Sequence, residues 1–297
     1  MNRRAFIALL GGAAAAAPAV RPRAAYGQKV PRIGIIDDSP LWDAFRQGLR
    51  EHRYVEGRTI AFEYRETAGD PDRLAAAAAE LARLPVDVIA TYGTPPTRAA
   101  KLATARIPIV MIGIGDPVGA GLVTSLARPG GNITGNTVLS PDLSAKRLQL
   151  FKEAFGVTRV AFLVNSDNAS NVAVLDELKA AAPPLGLTIV SAQVRRFDEF
   201  EAAFAAMMRQ RPDAFMMGGD PLQLRHVDWI IDFLAKNRLP GMFQVRENVL
   251  AGGLMSYGAT CPICFGARGA TCRKSSTAPS PPTCRSSSRP SSSWWST

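Results

Sequence analysis

The sequence predicts an α/β protein of two lobes, each built on a parallel sheet, and three observations predict it. Strand-like and helix-like segments alternate from Arg32 to Phe243, the order that layers helices onto parallel sheets. Ile107–Ile114 carries no charge, and the first after it is Asp116, which suits a strand buried on both faces. Two βαβ series follow one another with a break near residues 136–141, and 297 residues are enough for two lobes of ordinary domain size.

The elements follow in order. Arg32–Asp37 reads as the first strand, and Leu41–His52 as a helix with Leu41, Phe45 and Leu49 on one stripe. Thr59–Tyr64 alternates Ile60, Phe62 and Tyr64 as a second strand. Asp70–Leu84 is an Ala-rich helix with Asp70 and Asp72 at its start, where carboxylates suit the helix dipole. Val86–Ala90 is a strand, Pro95–Ala105 a helix and Ile107–Ile114 a strand. Gly115-Asp116-Pro117 then turns into a short helix, and a short strand begins at Ile133. The second series reads as helix Asp142–Phe155, strand Arg159–Val164, helix Asn171–Ala182, strand Leu187–Val194, helix Phe197–Arg209, strand Ala214–Met217, helix Leu222–Lys236 and strand Leu239–Phe243. The expected organisation is lobe 1 over 30–138, lobe 2 over 139–250 and a return crossing over 251–258.

The formal charge of +10 suggests nucleic acid until it is placed along the chain. Residues 1–29 and 259–297 each carry five basic residues and no acid, so the body balances at 25 of each sign. A neutral body with two basic ends is not the footprint of a nucleic-acid binder. The first end reads as an export signal over 1–27: the twin arginine Arg3-Arg4, a short apolar stretch Ala8–Ala17 and small residues at Ala25-Tyr26-Gly27. Its apolar run is well under the roughly 20 residues of a spanning helix, and it holds no Cys for lipid attachment. The expected mature protein is soluble and periplasmic.

Catalytic constellations are thin. The two histidines, His52 and His226, fall on separate helices and read as solvated residues, with no local motif pairing either to a nucleophile. The glycines at 113, 115, 119 and 121 make neither GxGxxG nor GxxxxGK[ST], so neither a nucleotide site nor a nicotinamide oxidoreductase is expected. What remains is a ligand cleft, because parallel sheets bind ligands beyond the carboxyl ends of their strands. Those ends are polar: Asp37-Asp38-Ser39-Pro40, Thr91-Tyr92-Gly93-Thr94 and Gly115-Asp116-Pro117 in the first series, Asn165-Ser166-Asp167-Asn168 and Gly218-Gly219-Asp220-Pro221 in the second. Each is expected to feed a helix N-terminus whose free N–H groups suit a carboxylate. Ser39, Thr94, Asp116 and Asp220 also suit helix capping. Tyr92 and Tyr257 are candidates to stack on an apolar or aromatic ligand, whereas Trp42 reads as helix–sheet packing.

Three segments together carry a family resemblance: Ile107–Gly135 with its Gly115-Asp116-Pro117 and Ala127-Arg128-Pro129-Gly130-Gly131-Asn132, Tyr92-Gly93-Thr94-Pro95-Pro96 with Ala99-Ala100-Lys101, and Ala251-Gly252-Gly253-Leu254-Met255-Ser256-Tyr257-Gly258. Over about Val30 to Gly258 the chain resembles the ABC-transporter substrate-binding proteins of the tryptophan/tyrosine type. The resemblance implies a type I periplasmic-binding fold, two Rossmann-like lobes with parallel sheets and a hinge. It also implies a small-molecule ligand between the lobes, an amino acid or similar and aromatic in some members, and an ABC permease in the inner membrane as partner. No catalysis and no cofactor or metal are expected, and the protein is expected to act as a monomer. The candidate ligand residues are Ser39, Tyr92, Gly93, Thr94, Asp116, Asn165, Asp220 and Tyr257, with Asp116 and Asp220 as partners for an ammonium group. The rival reading, a ligand-sensing regulator domain of the same fold, would need a DNA-binding helix-turn-helix where the leader stands.

After Gly258 the composition changes to Ser, Pro, Arg, Thr and Cys, and all four cysteines lie there: Cys261, Cys264, Cys272 and Cys284. Family members continue instead with a stretch like Ala-Lys-Pro-Ala-Asp-Leu-Pro-Val-Glu-Gln-Pro-Thr-Lys-Phe-Glu-Leu-Val-Val-Asn. Written in GC-rich codons and read one base later, that stretch translates as residues 279–296 of this chain. The inference is a slipped reading frame near Ala259–Cys261. Cys261-Pro262-Ile263-Cys264 has no second CxxC and no nearby His, so no metal or redox role is assigned to it. A tail of this composition is expected to be disordered.

Overall fold

The computed structural model describes residues 30–36, 41–138 and 143–258. The leader, Ser39 and the tail from residue 259 lie outside the described residues. Within them the chain folds as β1 (Arg32–Ile36), α1 (Leu41–Glu51), β2 (Ala61–Arg65), α2 (Pro71–Arg83), β3 (Val88–Tyr92), α3 (Thr94–Ala103), β4 (Ile109–Ile114) and β5 (Ile133–Thr137). It continues as α4 (Ser144–Phe155), β6 (Arg159–Asn165), α5 (Ala169–Ala181), β7 (Thr188–Val194), α6 (Phe200–Arg209), β8 (Ala214–Met216), α7 (Pro221–Arg225), α8 (Val227–Lys236), β9 (Gly241–Phe243), α9 (Arg246–Leu250) and β10 (Met255–Ser256).

Two five-stranded sheets result, in the orders β2-β1-β3-β4-β5 and β10-β9-β8-β6-β7. Every pairing between named strands is parallel. Counted from its own first strand, each sheet has the same order, 2-1-3-4-5, a doubly wound arrangement. Each is buried on both faces. In β1, Ile35 packs with Trp42 and Ile112 on one side, and Ile36 with Leu81 and Ile89 on the other, because successive side chains alternate faces. In β6, Phe162 and Val164 meet Leu148 and Val174, while Ala161 and Leu163 meet Phe204 and Phe215. Trp42 is only 2% exposed, so it is the packing residue the sequence suggests.

Local chemistry fixes the helix starts. The Asp70 carboxylate accepts from the N–H groups of Asp72 and Arg73, and Pro71 sits at the first helical position of α2. Gly156, at φ 63°, ends α4 in the left-handed conformation.

Three expectations change. The segment after Asp116 is a turn, closed by Ala120 N–H to Asp116 O (3.0 Å) and Leu122 N–H to Pro117 O (2.9 Å), not a short helix. Leu222–Lys236 divides into α7 and α8 at His226. That residue is not a solvated helix-face histidine, because its ring stacks on Phe197 at 3.8 Å between centroids and 12° between planes. Residues 251–258 carry β10, the edge strand of the second sheet.

Candidate functional site

In a 2-1-3-4-5 sheet the connections leave strands 1 and 3 in opposite directions, and the crevice between their carboxyl ends is where ligands bind. Lobe 1 places the end of β1 and the loop after β3 there, and lobe 2 the loops after β6 and β8. Five of the expected residues fall on these loops or their flanking positions: Tyr92, Gly93, Thr94, Asn165 and Asp220. Ser39 follows β1 but lies outside the described residues.

The two crevices face each other and touch. Thr94 Oγ1 and Ser170 Oγ are 2.8 Å apart, and the Asp116 N–H donates to the same serine oxygen at 3.1 Å. Gly93 abuts Pro221 of lobe 2: a Cβ there would stand 2.3 Å from Pro221 Cγ, and Gly93 has φ 79°. Glycine is therefore required twice at this position, by backbone conformation and by lobe approach. At the outer edge, Arg196 Nη2 reaches Asp70 Oδ1 (2.8 Å) and Asp72 Oδ2 (3.0 Å), and Arg225 Nη2 reaches Glu66 Oε1 (2.6 Å). A cavity of about 10 Å³ remains between the lobes, lined by Gly93, Thr94, Gly115, Ser170, Asn171 and Gly219 among others. That is room for about one water molecule.

The lobe 2 wall is a buried amide network. Asp220 is fully buried, with Oδ2 accepting from Asn165 Nδ2 (3.0 Å) and Asn168 Nδ2 (2.8 Å) and Oδ1 from the Gln223 N–H (3.1 Å). Burial pushes its carboxyl above the usual range, while the three donors pull the other way. Asn171 Oδ1 accepts from the Asn165 N–H at 2.7 Å. Its Nδ2 is buried with no hydrogen-bond partner among the described residues.

Helix N-termini supply fewer free N–H groups than expected. Asn168 caps α5 and Asp220 caps α7 with side-chain oxygens, and α3 opens on Thr94-Pro95-Pro96, where two of the first three residues have no N–H. Asp116 sits in a turn and not at a helix start, its Oδ1 accepting from the Gly119 N–H at 2.8 Å. The Tyr92 ring lies over Gly113, where an added Cβ would be 2.8 Å from Cε2. Tyr257 follows the edge strand β10, three strands from β6, 37% exposed. Its N–H donates to Phe243 O (3.0 Å), and its carbonyl accepts from Arg147 Nε (2.8 Å). Burial lowers the Arg147 pKa to about 10.

Ser170 and Asn171 contribute to the cleft but were not singled out in the sequence. The only signal for them was position, just after a polar strand-end loop. A larger cavity of about 450 Å³ lies in lobe 2 alone, around Leu239–Gly241 at the start of β9, with Leu234, Phe243 and Leu254 in its lining. It has neither the second lobe nor the convergent polar groups of a ligand cleft. Among the described residues no three His, Cys, Asp or Glu come together as a metal site, and no helix is long and apolar enough to cross a membrane.

Comparison with known proteins agrees with this geometry. A tyrosine-binding protein of Clostridioides difficile is 26% identical over 239 residues, covering 78% of this chain and 68% of that protein. The crystal structure of a conserved domain protein from Vibrio cholerae superposes with a TM-score of 0.70 at 28% identity, over 77% of this chain and 78% of that one. An ABC domain from Streptococcus pneumoniae, solved in complex with L-Trp, superposes with a TM-score of 0.68 at 24% identity over 76% and 78% of the two chains, and shares the fold. The family model for ABC transporter substrate binding proteins matches residues 40–262, more than half of the chain. With two doubly wound lobes that meet at their switch points, the chain belongs to the ABC transporter substrate binding protein family.

Proposed function

We propose that this substrate-binding protein is exported to the periplasm, where its lobes close by hinge rotation on a small ligand, an amino acid or similar, aromatic ones included, and present the closed form to an inner-membrane ABC permease. It acts as a monomer, carries no catalytic activity and needs no cofactor. The observation that carries the reading is the contact of the two switch points, Thr94 of lobe 1 on Ser170 of lobe 2. Two lobes that meet through hydroxyls, one glycine–proline contact and exposed ion pairs around a small polar cavity are built to part and re-form. The tyrosine-binding relative supports an amino acid as ligand. The proposed ligand contacts are Gly93, Thr94, Asp116 and the Asn165–Asp220 wall, together with Ser39, Tyr92 and Tyr257. The match to the family model ends at residue 262, close to the proposed change of reading frame, which supports a family-like tail in the parent gene.

The test is expression with the leader, native mass spectrometry of the periplasmic protein, and calorimetry against a panel of amino acids. The expected result is a co-purifying mass below that of a dipeptide, a mature N-terminus near Gln28 and a single binding site. Met1 retained on periplasmic material would contradict the export reading. An enzyme-like turnover of the bound molecule would contradict the transport reading.

A further inference from the structure

We propose that lobe 2 carries a second ligand site, separate from the cleft, which takes a medium-length unbranched monocarboxylate with its hydrocarbon chain along an apolar groove and its carboxylate on Arg238. The groove is the cavity of about 450 Å³ beside the start of β9. It is bounded by the last turn of α8, by residues 239–241 entering β9, by residues 252–254 entering β10 and by Phe155, the last residue of α4. All of these lie at the amino end of the second sheet, whereas the cleft lies beyond the carboxyl ends of its strands. A ligand in the groove therefore does not occupy the space between the lobes, and the site does not rest on the transport reading.

Ile231, Leu234, Leu239 and Phe243 line the groove as buried residues, and Phe155 and Leu254 stand at its rim, 45% and 55% exposed. Single exposed apolar residues are ordinary, but a rim of them around an open apolar groove marks a binding surface. Gly252 has φ 115°, and a Cβ on it would stand 3.5 Å from Ile231 Cγ2, so this glycine keeps that wall clear. The backbone carbonyls at the neighbouring helix ends are already taken. Leu234 O accepts from the Leu239 N–H (2.9 Å), Ala235 O from the Arg238 N–H (3.1 Å), Asn248 O from the Gly253 N–H (2.8 Å) and Val249 O from the Gly252 N–H (3.1 Å). Arg238 is different. It lines the groove, and its guanidinium makes no ion pair and no hydrogen bond among the described residues. Apolar walls with spent acceptors disfavour a zwitterion, whose ammonium would go unpaired, while a free guanidinium complements a carboxylate. A volume of about 450 Å³ equals about 15 water volumes, room for a chain of about eight to twelve carbons.

Calorimetry with four probes, each below its micelle concentration, tests the site: decanoate, octanoate, 1-octanol and decyltrimethylammonium. Decanoate should bind at one site, octanoate about tenfold more weakly for two methylenes fewer, and decyltrimethylammonium severalfold more weakly than decanoate. Arg238→Gln should weaken both carboxylates by about fivefold, the scale of an exposed ion pair, and leave 1-octanol unchanged. Ala235→Trp, on the exposed lip of the groove, fills it and should abolish binding of all four. If thermal unfolding shows that this variant is not folded, Leu254→Asn at the rim carries the same comparison, with severalfold weaker binding of all four expected. Decanoate and decyltrimethylammonium binding equally well overturns the pairing with Arg238. Decanoate binding that the groove variants leave unchanged, or no saturable binding of decanoate to the wild type, overturns the site.

Discussion

The two lobes share a strand order and differ in how they face the cleft. Lobe 1 presents a lightly dressed edge: Gly93, Gly113 and Gly115 with the Thr94 hydroxyl. Lobe 2 presents a buried and largely satisfied polar wall, in which Asn165, Asn168, Ser170, Asn171, Asp220 and Gln223 are each less than 8% exposed. One lobe is thus a rigid wall fixed by its own hydrogen bonds, and the other is a surface cleared of side chains so that it can approach. A single topology gives both, because the difference lies in the loops beyond the strands and not in the sheets.

The sharpest way to break this comparison is to remove the keystone of the wall. Asp220→Ala deletes the cap of α7 and leaves the Asn165 and Asn168 amides without their acceptor. The expected loss is about 3 kcal/mol, from a cap worth about 1 and two orphaned amides of about 1 each. Chemical denaturation measures it. A loss below about 1 kcal/mol would show that the wall is not held by its network.

Gly93→Ala acts on the approaching side. At φ 79° and ψ 171° the backbone is in a region essentially reserved for glycine, which costs any side-chain-bearing residue roughly 1–3 kcal/mol, and the new methyl meets Pro221 only when the lobes come together. Ligand affinity should therefore fall by more than thermal stability does. Equal losses in both would mean that closure does not use this contact.

How much of this was legible in the sequence depends on the range of the interaction. α2 could be read because Asp70, Pro71 and the Ala-rich face are local signals. Thr94 and Asp220 could be found because they follow strands directly. The role of Asp220 could not, because Asn165 and Asn168 are more than 50 residues away in sequence and become donors only once β6 and β8 pair. Ser170 looked like an ordinary residue of an early helix turn, and its value comes from Thr94, 76 residues earlier. The division between α7 and α8 was hidden because apolar residues continue through it. The turn after Asp116 was misread because an Asx-type turn and a helix start use the same residues. β10 has only two residues among glycines, too short for any periodic pattern.

The outer ion pairs should matter less. Arg196 is 40% exposed, Asp72 92% and Glu66 58%, and such pairs contribute roughly 0–1 kcal/mol each. Arg196→Gln should lower ligand affinity by severalfold at low salt and hardly at all at 1 M salt, where screening has removed the pair in both proteins. A salt-independent effect would assign Arg196 a packing role instead.

The smallest expected effect is a pH dependence confined to lobe 2. Burial against Phe197 and Phe200, with Arg225 adjacent, lowers the His226 pKa below 6.5. The unfolded chain then takes up the proton first as pH falls. This contribution to stability is complete above about pH 6.5 and is lost as pH drops toward the depressed folded value. His226→Phe keeps the ring stack and should flatten this part of the stability–pH curve. An unchanged slope would place the titration elsewhere.

The most direct test of the account is a crystal structure grown with L-tyrosine. The account predicts the ligand between the loops after β3 and β8, with the hydrogen bond between Thr94 Oγ1 and Ser170 Oγ opened to admit it. Tyrosine lodged in one lobe alone, for instance in the apolar cavity by Leu234 and Phe243, with the two hydroxyls still bonded to each other, would contradict it.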